Sequence, residues 1–205
     1  MQKHTVDASQ VKDGQYVGVA DLSNFQGHIE IAADLGIVRF NGCLAATGEI
    51  FVPCGSSIEA GMSIKAGGSI EAGLSIKAGG SIEAGGFIKA GWSIEAGWSI
   101  EAVGSIEAGL SIKAGGSILA QLWVKCKTTL SFCYRLYAGL AMWQEEPDAG
   151  SDLVECGRLH GGTVVLGQVV ELGLPQEEKP ATATIRLADG TVLTGDVVEG
   201  VNDEK

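Results

Sequence analysis

The chain has 205 residues, a mean hydropathy of +0.22, 31 glycines and only 4 prolines. An apolar content of 45% argues against a disordered polar chain, and the lack of glycine at every third place excludes collagen. The formal charge of -11 is uneven: residues 1–53 carry six acids and three bases, residues 54–127 six of each, and residues 128–205 thirteen and five. This balance repels a phosphate backbone, so no direct nucleic-acid binding is expected, and a basic protein is the natural partner.

The opening residues "MQKHTVDASQVKDGQYVGVADLS" contain no apolar core of signal-peptide length. Five cysteines at 43, 54, 126, 133 and 156 form no CxxC pair. Together these features place the chain in a reducing cytoplasm. The run "LYAGLAMW" (136–143) is too short to cross a bilayer, so no membrane association is expected. Residues 27–55, "GHIEIAADLGIVRFNGCLAATGEIFVPCG", are short β-like runs punctuated by glycine, and they suggest degenerate coils after an N-terminal start.

The pattern then becomes regular, as S-I-[E/K]-A-G-x. Isoleucine stands every six residues from Ile58 to Ile118, Val124 takes the next place, and alanine follows two residues after each isoleucine. Two residues apart is one face of a strand, so Ile and Ala point inward and the charged residue between them points out. The glycine that follows suggests a bend with positive φ. A helix would carry up to two glycines per hexad, at roughly 1 kcal/mol each. One short strand cannot bury its isoleucine, but stacked coils can, which predicts a solenoid.

The charges set the number of strands per coil. Adjacent coils bring outward residues to ~4.8 Å, where like charges repel. With twelve residues per coil, seven of the ten stacked pairs between 59 and 125 are like-charged. With eighteen, seven of nine are opposite and only Glu83–Glu101 is like-charged. The bulky residues at Met62, Leu74, Trp98, Leu110 and Leu122 would align better at twelve, but a two-sided coil has a very thin core. The expected fold is therefore all-β: a three-sided parallel β-helix of about 18 residues per coil with a β-rich C-terminal appendage. On the same step of eighteen, Cys54 and Cys126 fall in line with Ala72, Ala90 and Ala108, in an inward row.

Residues 118–143 continue the pattern with bulkier side chains suited to a cap. A polar loop (144–152) leads to further short strands, a linker (174–183), and a hairpin (184–200) turning at Asp189-Gly190. The expected organisation is 1–53 as N-terminal cap and degenerate coils, 54–143 as regular β-helix and its continuation, and 144–205 as acidic β-rich appendage.

The row "GSIEAGGSIKAGGSIEA" resembles the glycine-and-isoleucine strands of bactofilins, bacterial cytoskeletal β-helices that polymerise end to end. Its period is also similar to that of hexapeptide-repeat acyltransferases, which are left-handed three-sided β-helices. Both resemblances cover roughly residues 55–127 and imply about eighteen residues per coil. The acyltransferase likeness implies a histidine base at a cleft between coils. The only histidines here are His4, His28 and His160, all outside the repeat, and His160 in "RLHGG" suggests an ordinary loop residue.

No phosphate-binding loop and no zinc spacing occurs, so neither cofactor nor metal is expected, and the chain is not expected to be an enzyme. The candidate protein-binding residues are Phe87, Trp92 and Trp98, which replace small residues of the repeat, and the acidic Glu145, Glu146, Asp148 and Asp152. Packing beneath the C-terminal segment is the structural alternative for the aromatics. Acidic repetitive solenoids suit phages and mobile elements, where imitation of a polyanion blocks nucleic-acid-binding proteins. The expected function is thus inhibition of a nucleic-acid-binding bacterial defence complex, in the manner of an anti-CRISPR protein. A bactofilin-like scaffold that associates with itself is the alternative.

Overall fold

Isoleucine and alanine of each hexad converge on one interior. From Ile58 to Ile118 every repeat isoleucine is 0 or 1% exposed, and the paired alanines are at most 8% exposed. In the computed structural model, which describes residues 2–140 and 150–174 and the strands Thr182–Arg186 and Val192–Asp196, these residues line a parallel β-solenoid of about seven coils. Each regular coil has about 18 residues and three strands of three residues. The described residues are all-β apart from a single 3-10 turn at Ala8–Gln10.

Three faces follow, named here by one outward residue each. The Arg39 face stacks Arg39, Glu59, Lys77, Glu95, Lys113 and Ser131. The Lys65 face stacks Ala45, Lys65, Glu83, Glu101, Leu119 and Tyr137. The Glu71 face stacks Glu30, Phe51, Glu71, Lys89, Glu107, Lys125 and Glu155. All nine neighbours expected from the eighteen-residue step are found, including the single like-charged pair Glu83–Glu101. The Arg39 and Lys65 faces form one sheet, because the nine-residue strand Thr129–Tyr137 turns the corner and pairs with both.

The repeat glycines are required for a different reason than expected. None from Gly61 to Gly116 has positive φ. Instead, the coils approach so closely at the corners that a Cβ on Gly97 would lie 2.1 Å from the Gly79 carbonyl oxygen, and one on Gly109 1.9 Å from that of Gly91. The repeat serines also bind coil to coil: Ser57 Oγ accepts from the Ser75 amide at 3.1 Å, and Ser81 and Ser99 hydroxyls meet at 3.1 Å.

Cys54 does not lie in the inward row; it is exposed. The strand Ile50–Val52 pairs Val52 with Ala72, a step of twenty, because the turn Pro53–Gly55 adds residues to this coil. Cys126 is buried opposite Ala108 as expected.

The two ends differ. At the start, a hairpin pairs Val11 with Tyr16 and Lys12 with Gln15 through Asp13 (φ 51) and Gly14 (φ 76), and it covers the edge of the Arg39 strand. Phe25 and Leu22 likewise cover Leu44–Ala46 through backbone hydrogen bonds. At the other end the sheets run on through Leu153–Cys156, Arg158–Leu166 and Gln168–Glu171. The outer edges of the last two strands pair with no described strand. The chain divides into two units, Met1–Leu174 and Pro175–Lys205. In the second, Thr182–Arg186 and Val192–Asp196 pair antiparallel, as expected of a hairpin; its Asp189-Gly190 turn lies outside the described residues.

Candidate protein-binding surface

The corners, rather than the faces, carry the large side chains. After each strand of the Glu71 face the chain passes a corner that stacks Leu74, Trp92 and Leu110, joined by backbone hydrogen bonds of 2.9 and 2.7 Å. After each strand of the Arg39 face it passes a corner that stacks Met62, Gly80, Trp98, Gly116 and Tyr134. The third corner is mainly glycine: Gly48, Gly68, Gly86 and Gly104 precede Leu122. Trp92 and Trp98 therefore stand at the two margins of the Arg39 face, and they are 56% and 72% exposed. Trp92 sits in an aliphatic stack, whereas Trp98 has a glycine on each side.

Phe87 occupies a serine place beside the Glu71 face and is 40% exposed. It adjoins a small surface cavity with Glu71, Lys89, Ser105 and Glu107. Asp152 is half-buried, and its carbonyl accepts from the Gln168 amide at 2.8 Å. It lies away from the aromatic corners in sequence and structure alike, at the junction to the last coil. Glu145, Glu146 and Asp148 lie outside the described residues.

Sequence reasoning missed three features. Tyr134, exposed on the bulged strand Thr129–Tyr137, joins the Trp98 corner. Trp123 donates to Glu107 Oε1 at 2.6 Å and lies 5.6 Å beneath the Lys125 ammonium, so it draws that pair out of simple alternation. Val165, Leu166, Val169, Val170, Leu172 and Leu174 form an exposed apolar run along the last coil. The stretch is strand, as expected; its adjacent apolar pairs, Val164-Val165 and Val169-Val170, put an apolar residue on each face and are the signal for the exposure.

Charge alternation yields few closed ion pairs. Among the described residues of the ladders, Lys65–Glu83 meets at 2.8 Å, Arg39–Glu59 at 3.1 Å and Lys77–Glu59 at 3.7 Å. The hydrogen bond and charge of Glu83 hold the Lys65 ammonium above its ordinary range, with a further contribution from Glu101. Near the start, the hydroxyl and amide of Ser9 keep the Asp7 carboxyl below its usual value.

The buried thiols are quiet. Burial pushes Cys126 up to about 12 and Cys156 up to about 11, so neither is a thiolate at neutral pH. His160 lies in the strand Arg158–Leu166, opposite Ser131, rather than in a loop. Among the described residues no three His, Cys, Asp or Glu side chains converge to hold a metal ion. No described helix is long and apolar enough to cross a membrane. No family model, curated protein or solved structure matches the chain.

Proposed function

We propose that this chain is a non-enzymatic binding protein: a rigid solenoid that presents acidic and aromatic groups to a basic, nucleic-acid-binding protein and blocks it. The sharpest form of this reading is a phage or mobile-element inhibitor of a bacterial defence complex. The observation that carries it is the pair of exposed tryptophans at both margins of one regular face, on a chain of net charge -11. Exposed tryptophan is costly in water and is enriched where proteins bind. Parallel strands stacked on an isoleucine core hold such groups with little ordering cost on association.

The test is affinity capture from bacterial lysate, followed by competition. The captured protein is expected to be basic, to bind nucleic acid, and to lose that nucleic acid as the chain is added. A captured partner that is neither basic nor nucleic-acid-binding would contradict the mimicry.

One observation favours a second reading, a self-associating scaffold. The last coil leaves two strand edges and an apolar run uncovered by any described strand. Mass measured against concentration separates the two, since filaments that grow with concentration would replace the inhibitor reading.

A further inference from the structure

Among the nine repeat neighbours, the Lys65 face holds the one like-charged pair. The alternating hexads call for lysine at 101, and the chain has glutamate, which stacks on Glu83 and then on uncharged Leu119. One ammonium, Lys65, thus serves two carboxylates, and it closes on Glu83 at 2.8 Å. Arg135, two coils further on, is directed at the Tyr137 hydroxyl. Glu101 is left with a single described hydrogen bond, from Ser99 Oγ at 3.0 Å, which fixes its carboxylate beside the Trp98 corner.

At that corner Trp98 and Tyr134 are two coils apart with Gly116 between them. Their backbones are separated by about 9.6 Å, two strand spacings. The glycine leaves an open slot, a surface cavity of about 470 Å3 lined by Trp98, Tyr134, Glu101 and a floor of Gly115, Gly116 and Ser117. Glu101 also borders a second cavity on the Lys65 face, where Lys65 is already paired with Glu83. In the slot, two aromatic side chains and a carboxylate with no closed ion pair among the described residues suit a cation with several donors.

We infer that the slot between Trp98 and Tyr134, with Glu101 at its side, is the binding site for an arginine side chain of a protein partner. A guanidinium midway between the two walls lies within the roughly 6 Å over which an aromatic face attracts a cation. Its plane stacks on aromatic rings and its donor fork pairs with the Glu101 carboxylate, which the compact ammonium of lysine does less well. The inference deepens the proposed function and rests on it for the source of the arginine.

Two substitutions test it without endangering the fold, because each copies a residue the repeat already uses. Glu101→Lys restores the alternation opposite Glu83, and Trp98→Gly copies Gly80 and Gly116 on the same corner. Glu71→Lys makes the same charge change on another face. The probe is a nine-residue arginine peptide, titrated calorimetrically at physiological salt, with a nine-residue lysine peptide alongside. The expected result is binding by the wild type, weakened about 3- to 30-fold by Trp98→Gly and more than about tenfold by Glu101→Lys. Glu71→Lys is expected to change it less than about threefold, and the lysine peptide to bind more weakly. Absence of wild-type binding, equal losses in Glu101→Lys and Glu71→Lys, or equal affinity for the lysine peptide would overturn the inference. Slot-dependent binding of the peptide together with a captured partner that is not basic would retain the slot and refute the proposed function.

Discussion

The Arg39 and Lys65 faces are built from the same hexad, share one sheet and each bury a row of isoleucines, yet their outer surfaces differ. On the Arg39 face five consecutive charges alternate from Arg39 to Lys113 without a break. On the Lys65 face the alternation stops at Glu101, and the next two places are Leu119 and Tyr137. The interior varies only among apolar residues: Val38, Leu44, Val124, Leu130 and Leu136 take the isoleucine place in the outer coils. Repetition therefore marks what holds the coils together, and its lapses mark where the binding surface is proposed.

The interior is where the two faces should respond alike, and with the largest effect. Ile94→Ala and Ile100→Ala, on the Arg39 and Lys65 faces, are each expected to cost about 2–5 kcal/mol in denaturant unfolding. Unequal losses would break the equivalence of the two cores. At the corner between the faces, Gly97→Ala sets a methyl against the Gly79 carbonyl, and a loss of about 1–3 kcal/mol is expected. A neutral result would show that the coils can part there.

The buried thiols test the same core through pH. Cys126 and Cys156 stay protonated in the fold well above the pKa of an exposed thiol, because burial disfavours the thiolate. The unfolded chain ionises first, so it binds fewer protons and stability falls as pH rises from about 9 towards 12 and 11 respectively. On the order of 1 kcal/mol per thiol should be lost by pH 10. Cys126→Ala and Cys156→Ala should flatten that slope, and an unchanged slope would place the thiols in contact with water.

The smallest effects are those on the surface, and there the faces should diverge in sign. Lys77→Glu puts a third carboxylate between Glu59 and Glu95 and should lower the melting temperature by at most about 2–4 °C. Glu101→Lys should raise it by a similar or smaller amount, and added salt should shrink both shifts. Shifts of the same sign would mean that charge alternation does not govern register on either face.

Much of this architecture was legible in the sequence because its signals were redundant. The period of isoleucine placed the strands, the alternation of Glu and Lys chose eighteen over twelve, and each of the nine stacked neighbours could be named in advance. Where the period was interrupted, counting failed. Pro53–Gly55 lengthen one coil, and Cys54 moved from the inward row to the surface. The role of the repeat glycines was misread because a gap between coils is a property of two chains of backbone, not of one residue's φ. Trp98 stood out as a departure from the hexad. Tyr134 did not, because it lies past the last regular hexad on a bulged strand, and only the fold brings it to the same corner.

The most direct test is hydroxyl-radical footprinting of the chain with and without its captured basic partner. Protection is expected at Trp98 and Tyr134, with Phe51 on the Glu71 face and Val165 on the last coil as reactive as in the free chain. Unchanged reactivity at Trp98 and Tyr134, with protection confined to the run from Val165 to Leu174, would contradict the account and assign binding to the end of the solenoid.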